Sequence, residues 1–133
     1  MANRYQDWFR QAESDLNHCE NSRKMGDYDW ACFAAHQAAE KAVKALMEFL
    51  GEKHRQHFIS ELLEVLAQKI PIPDSLKHGA FILDGFYLSS RYPQVFDSGA
   101  PVDHLTAEDA RIGYATARKM VEFCQNQLVA TGS

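Results

Sequence analysis

The sequence lacks the features of a secreted protein, of a membrane-spanning protein and of a basic protein that coats nucleic acid. No apolar run is long enough to cross a bilayer, and the N-terminal stretch has no basic segment followed by an apolar one. We therefore expect a cytoplasmic protein with no membrane partner. Its 18 acidic side chains outnumber its 14 basic ones, for a net charge of −4. Coating nucleic acid by charge requires a basic face, so this balance leaves room only for a local basic cleft, and no DNA partner is expected.

Cysteine is scarce as well. Cys19, Cys32 and Cys124 are odd in number, widely spaced and embedded in segments of helical periodicity. This pattern does not suggest a disulfide framework. We expect the three thiols to be small core residues.

Several catalytic and ligand-binding motifs are also absent. The chain has no glycine-rich phosphate loop, no nucleophile turn and no Gly-Ser with paired aspartates of the kind expected in a nucleotidyltransferase. His54 and His57 are three residues apart, but no third histidine or cysteine stands at ligand spacing nearby, so neither a metal nor a cofactor is predicted. The simpler interpretation is that His57 starts a helix and makes a local hydrogen bond.

What the sequence does contain is helical periodicity, with no competing strand pattern and no internal repeat. A chain of 133 residues, 46% hydrophobic and 24% charged, suits one globular domain over residues 1–133. Apolar spacing of three and four residues predicts an all-α, up-and-down bundle of four to five helices. The predicted helices cover about 3–23, 28–50, 59–70, 74–89 and 106–128. Asp74 is the expected N-cap of the fourth, and Thr106 with Asp109 gives a start signal for the fifth.

The second predicted helix has an unusually wide apolar arc, rich in alanine, which indicates a position at the middle of the bundle. Its remaining arc is polar. Glu40 and Lys44 are four residues apart in the favourable order, so they predict an exposed ion pair worth roughly 0.2–0.5 kcal/mol. The functional alternative is that Lys41 and Lys44 line a groove and bind phosphate.

Residues 89–105 form a long segment with two prolines, a glycine and no sustained period, so they predict a loop of the kind that often carries function. Arg91 beside Tyr92 suits phosphate or base recognition, because the planar guanidinium binds oxygens in pairs. The structural alternative is that Tyr92 packs on the bundle while Arg91 pairs with an acid such as Asp84 or Asp97.

The order of these motifs resembles that of HEPN-domain proteins. The resemblance spans most of the chain and rests on one set of features: Trp8, Asp15-Leu16, Gly26-Asp27-Tyr28, AAHQAAEKAVKAL, His57 before FISELLEVL, and Ser90-Arg91-Tyr92-Pro93. It implies a helical bundle that is commonly a homodimer, is often encoded beside a minimal nucleotidyltransferase and is linked with nucleotide or RNA chemistry. On this basis the candidate nucleotide- or RNA-binding residues are Ser90, Arg91, Tyr92, Lys41 and Lys44.

The sequence departs from this family at the site that RNA-cleaving members use. The RNA-cleaving members share a site made of an arginine and a histidine about four to six residues later in the sequence. Two copies of this site are paired across a dimer. Here the matching positions after Arg91 hold other residues, and the next histidine, His104, is thirteen residues on. RNA cleavage needs a proton acceptor as well as a cation, and a lone arginine supplies only the second.

Three functional hypotheses follow. The first is a dimeric binding protein without the usual nuclease site, partnering a nucleotidyltransferase in a toxin–antitoxin-like system. The second is a divergent ribonuclease toxin in which the fold or the dimer brings His57 or His104 to a catalytic Arg91. The third is an interaction scaffold without a ligand. All three predict a dimer, for which four aromatic side chains are the candidate contacts: Phe81, Phe86, Tyr87 and Phe96.

Overall fold

The computed structural model describes residues 3–132, all of whose regular structure is helical. The all-α prediction is confirmed. The elements are α1 (Tyr5–Met25), α2 (Tyr28–Phe49), α3 (Ile59–Leu66), α4 (Asp74–Ser89), a 3₁₀ turn (Pro93–Val95), α5 (Pro101–His104) and α6 (Ala107–Gly132).

Helix α2 lies at the centre of the bundle. It packs along α1 and α6 and also contacts α3, α4 and α5. Its fully buried alanines let the neighbouring helix axes approach closely, which is the role predicted from the wide apolar arc. Those alanines are Ala31, Ala35, Ala38, Ala39, Ala42 and Ala45.

The turn between α1 and α2 depends on a glycine. Gly26 has φ of +84°, the left-handed conformation that glycine adopts without a Cβ penalty. The Gly26 amide donates to the Arg23 carbonyl, and the Asp27 amide donates to the Ser22 carbonyl. These bonds satisfy carbonyls at the end of α1 and turn the chain directly into α2.

Several predicted helix ends differ from the structure by one to four residues; α1 ends at Met25 and α6 at Gly132, each later than predicted. Helix α3 stops at Leu66 rather than near residue 70, because the last turn tightens: the Lys69 amide donates to the Leu66 carbonyl, three residues back. Asp74 is the first residue of α4 rather than its N-cap, a position that Pro73 occupies.

Residues 89–105 are more ordered than an irregular loop. The 3₁₀ turn and α5 each begin at a proline, whose fixed φ suits the first helical position. The start signal of α6 forms as predicted, since the Asp109 amide donates to Thr106 Oγ1 at 3.1 Å and the Thr106 amide donates to Asp109 Oδ2 at 2.9 Å. The segment therefore presents Arg91 and Tyr92 from an organised backbone.

Cys19, Cys32 and Cys124 are free and buried, as expected for core residues. Within residues 3–132, no helix combines the length and the apolar character that crossing a membrane requires.

Candidate functional site

Arg91 lies just beyond the end of α4 and reaches across to the first turn of α2. Its Nη2 donates to Asp29 Oδ2 at 2.8 Å, and its Nε donates to the Ser90 carbonyl at 2.8 Å. The guanidinium carbon lies 3.9 Å from the centre of the Trp30 ring, a cation–π stack. Arg91 pairs with an acid, as the structural alternative expected, but neither Asp84 nor Asp97 is the partner: the acid is Asp29, which α4 brings close by packing against α2.

The Arg91 guanidinium still has binding capacity. Arginine carries five N–H donors, and two are used by Ser90 and Asp29, which leaves three without a partner in the described part of the chain. The Arg91 side chain is 28% exposed, whereas Asp29 is buried beneath it. Trp30 and Tyr92 are 48% and 42% exposed. Cationic donors and aromatic surface are thus available together at this end of the bundle.

Ser90 does not share this exposure. The residue is fully buried, and its hydroxyl has no hydrogen-bond partner among the described residues. Ser90 therefore contributes its carbonyl to the orientation of Arg91, while its side chain is shielded from any ligand in this conformation.

The predicted phosphate-binding lysines are held by acids. Lys44 is 5% exposed, its Nζ lies 2.9 Å from Glu40 Oε2, and it sits 5.6 Å from the centre of the Trp8 ring. Lys41 pairs with Asp15 of α1. The expected exposed Glu40–Lys44 pair is wrong, because α1 and the 51–58 connection cover this arc of α2. The Lys44–Glu40 pair is buried and therefore costly to break, and Lys41 is held in a partly buried pair, so neither lysine is a free cation for a ligand.

A second buried polar group joins three helices. His36 of α2 is fully buried, with its Nε2 3.2 Å from Asp84 Oδ1 of α4. The same carboxylate accepts the Ile59 and Ser60 amides at 2.7 and 3.0 Å, and so caps α3. Burial acts to raise the pKa of Asp84, but the hydrogen bonds from His36 and the two amides outweigh it and hold the pKa below its usual value.

The two histidines considered as proton acceptors lie away from Arg91. His57 Nδ1 is 3.2 Å from Glu40 Oε2 of α2, and His57 precedes the N-cap of α3 rather than starting the helix. His104 Nε2 is 2.6 Å from the Ser98 carbonyl, and its ring stacks on Phe96. Within the described chain neither imidazole has a hydrogen bond or ion pair with Arg91.

Sequence reasoning did not find Asp29 or Trp30. Trp30 is one of the apolar residues of α2, yet nearly half of it is exposed and the Arg91 guanidinium covers part of the rest. The available signal was a carboxylate and an aromatic side by side in the first turn of a helix. Such a pair can hold an arginine, but only the packing identifies which one.

No group of three or more histidine, cysteine, aspartate or glutamate side chains within residues 3–132 is arranged to hold a metal ion.

Comparison with known proteins decides the family. The model of the HEPN domain matches residues 5–127. The chain belongs to the HEPN family. Among solved structures, this HEPN chain is 38% identical to TT1696 from Thermus thermophilus, with a TM-score of 0.92 over 96% of this chain and 100% of that one.

Two further solved structures and one protein of known sequence are also similar to this chain. The archaeal HEPN homologue ST0689 is 37% identical with a TM-score of 0.82, covering 96% of this chain and 99% of that one. A HEPN domain protein from Thermotoga maritima (tm0613) is 30% identical with a TM-score of 0.77, covering 92% and 98%. The Methanocaldococcus jannaschii protein named "Putative toxin MJ1304" is 25% identical over 130 residues, covering 91% of this chain and 86% of that protein.

Proposed function

We propose that this HEPN protein is a binding module for nucleotides or RNA, and that Arg91 is its principal contact. The observation that carries this proposal is the half-buried Arg91 guanidinium, stacked 3.9 Å from the Trp30 ring centre with three N–H groups still available. Arginine binds phosphate oxygens in pairs, and an adjacent aromatic face accepts a base.

The surroundings of Arg91 favour binding because they hold it in one orientation. Asp29 and the Ser90 carbonyl fix the guanidinium plane, so less rotamer entropy is lost when a ligand arrives. Asp29 also offsets the positive charge, which favours a ligand able to stack as well as to pair. Tyr92, exposed beside Arg91, adds a second aromatic surface.

Calorimetric titration with nucleoside monophosphates and triphosphates tests the proposal. Arg91→Ala should weaken binding by about tenfold or more, because it removes a charge-assisted contact worth roughly 1.5–3 kcal/mol. Trp30→Ala should weaken it as well. Arg118→Ala is the matched control, since Arg118 is an exposed arginine on α6 paired with Glu122, and it should bind as the wild type does. Absence of binding by the wild type, or equal binding by Arg91→Ala, contradicts the proposal.

We further propose that the protein forms a homodimer and associates with a minimal nucleotidyltransferase. The family resemblance supports both partners. For the dimer, Phe81 is 67% exposed and borders a cavity of about 360 Å³ between α3 and α4, beside Leu63 and Ala67. The other candidate contacts, Phe86, Tyr87 and Phe96, are partly buried in this chain.

Light scattering of the purified protein tests the dimer, and Phe81→Ser should shift the mass toward that of a monomer. Co-expression with a nucleotidyltransferase encoded by a neighbouring gene, followed by size exclusion, tests the second partner. A monomeric wild type would contradict the first proposal, and separate elution would contradict the second.

A ribonuclease toxin is the second candidate function, because a relative at 25% identity carries the name of a toxin. Induction of the gene in a bacterium distinguishes a toxin from a binding module. Growth arrest with RNA cleavage, relieved by Arg91→Ala but not by Arg118→Ala, would favour the toxin. Normal growth with intact RNA would favour the binding module.

A further inference from the structure

Two basic side chains without an acidic partner lie in the connection between α2 and α3, beside the central helix. Lys53 and Arg55 are exposed, and neither has a hydrogen bond or ion pair in the described part of the chain. Lys41 and Lys44, by contrast, are engaged by Asp15 and Glu40. The connection, residues 51–58, therefore offers available positive charge on an otherwise acidic chain.

His57 attaches this connection to the central helix. Its Nδ1 is 3.2 Å from Glu40 Oε2, and Glu40 is only 5% exposed. The His57 side chain is itself 67% exposed, and its Nε2 has no partner among the described residues. A buried carboxylate thus orients an exposed imidazole whose second nitrogen is available to a ligand.

Aromatic rings connect His57 with Arg91. The Arg91 guanidinium carbon is 5.9 Å from the centre of the Phe33 ring, and the Phe33 and Tyr87 centres are 6.1 Å apart at an interplanar angle of 28°. The Tyr87 and His57 rings are nearly parallel, with centres 6.5 Å apart. Phe33 and Tyr87 are each partly exposed. Arg91 thus stands at one end of a row of rings, and His57 stands at the other, two residues along the chain from the exposed Arg55.

The length of this row can be calculated from the two positions on α2 to which its ends are attached. Arg91 is bound to Asp29 and His57 to Glu40, eleven residues further along the helix. At 1.5 Å per residue the two anchor points are about 16 Å apart. A stacked strand advances roughly 3.4 Å per nucleotide, so the row matches about five nucleotides, or fewer if the strand is extended.

We infer that the site is built for a single-stranded RNA segment of several nucleotides: Arg91 holds one end, Phe33 and Tyr87 support bases, and His57 with Arg55 holds the other end. This inference rests on the proposed function and deepens it. A mononucleotide would occupy only the Arg91 end. An acidic peptide would use the cations but gain little from a row of ring faces, whereas every base has a face that stacks.

Binding of oligouridylates of increasing length tests the inference. Affinity should rise by about tenfold or more from uridine monophosphate to the pentamer, because the added bases reach the rings of Phe33, Tyr87 and His57. It should then change little from the pentamer to the decamer. A pentamer that binds no more tightly than the monophosphate overturns the inference but leaves the proposed function intact. If neither ligand binds, both fail.

The double variant Arg55→Ala/His57→Ala locates the second anchor. It should reduce pentamer affinity by about tenfold while leaving binding of the monophosphate unchanged, because it removes one phosphate-binding cation and one stacking ring. Both side chains are exposed, and a circular dichroism spectrum like that of the wild type verifies folding. Lys119→Ala, which removes an exposed cation on α6, is the control and should bind as the wild type does. Equal pentamer affinity of the double variant and the wild type overturns the inference.

The salt dependence of pentamer binding distinguishes a lost phosphate contact from a general loss of structure, because only the first changes the slope. The slope of log affinity against log salt should fall in magnitude by about 0.7 for each phosphate of a single strand that the protein no longer neutralises. The single variant Arg55→Ala should therefore show a shallower slope with the pentamer, whereas Lys119→Ala should not. An unchanged slope in Arg55→Ala overturns the assignment of Arg55.

Discussion

At the scale of single residues, buried polar groups join the helices of this protein. Asp84 accepts hydrogen bonds from His36 and from the first two amides of α3, and so connects α4 to α2 and α3. Asp29, in the first turn of α2, accepts a hydrogen bond from Arg91 and so connects α2 to the segment that follows α4. Each carboxylate is buried, and removing its charge weakens the bonds from its donors and leaves one fewer acceptor oxygen for them, which costs more than loss of an exposed pair would.

Asp84→Asn should lower the free energy of unfolding by about 2 kcal/mol at pH 7, because charge-assisted hydrogen bonds to buried donors are lost. The folded-state pKa of Asp84 lies below its ordinary value of 3.8. The ionised carboxylate therefore stabilises the protein above that ordinary value, and this contribution is lost as pH falls through the lower folded pKa. Urea unfolding across pH 2–7 should show the wild-type advantage shrinking below about pH 4. Asp97→Asn, at an exposed position, is the control and should be close to neutral.

The cysteine thiols should be unreactive in the folded protein. Burial raises the pKa of Cys19, Cys32 and Cys124 to about 12, so at pH 8 they are protonated as well as shielded. Mass spectrometry after iodoacetamide treatment at pH 8 should show no addition to the native protein and three additions after denaturation. Alkylation of the native protein at any of the three would contradict this packing.

At the scale of helices, the contact between α4 and α6 depends on a glycine. A Cβ at Gly79 would lie 2.8 Å from Thr116 Cγ2, closer than packed carbon atoms allow, whereas a Cβ at Gly85 on the same helix would meet nothing within 4 Å. The two positions have the same backbone cost in a helix and differ in their surroundings. Substitutions at Gly79 and Gly85 therefore distinguish the effect of helix propensity from the effect of packing.

Gly85→Ala should stabilise the protein by up to about 1 kcal/mol through helix propensity alone. At Gly79 the same gain is opposed by a steric cost of about 1–3 kcal/mol, so Gly79→Ala should be neutral or destabilising. Thr116→Ser removes Cγ2, and in that background Gly79→Ala should become stabilising. Thermal or urea unfolding of this double-mutant cycle measures the coupling, and additivity of the two substitutions would contradict the close approach.

At the scale of the whole molecule, α2 contacts every other α-helix, so the bundle has one centre rather than separable halves. The two tryptophans report on opposite ends of that helix. Trp8 packs near Lys44 and His54, and Trp30 lies beneath Arg91. A single cooperative unit should lose both environments together.

Trp8→Phe and Trp30→Phe each leave one tryptophan as a fluorescent probe. In each variant, the urea midpoint from fluorescence should coincide with that from far-ultraviolet circular dichroism, because no helix can leave without exposing α2. The two midpoints are compared within each variant, since each substitution changes stability. A fluorescence transition that precedes the loss of helix would show that one end unfolds separately.

Much of the fold, and less of the site, could be predicted from the sequence. Apolar spacing and the Thr106–Asp109 cap placed the helices to within a few residues, and Arg91 was singled out from its place beside Tyr92. Its partner Asp29 was not found, because the two residues are 62 positions apart. The sequence predicts a solvated Lys44, since a lysine on a polar helical arc has the same local pattern whether or not a neighbour covers it.

The sequence by itself determined the helical class and the central position of the alanine-rich helix, because helical periodicity and capping are interactions over three or four residues. The resemblance to the HEPN family came from the order of particular motifs, which the family model then matched over residues 5–127. Only the tertiary structure decided which charges are free. Packing α1 and residues 51–58 over one arc of α2 buries Lys44 beside Glu40, and packing α4 against α2 seats Arg91 on Asp29 and Trp30. Burial and ion pairing depend on what the rest of the chain brings near a side chain, and no local pattern contains that information.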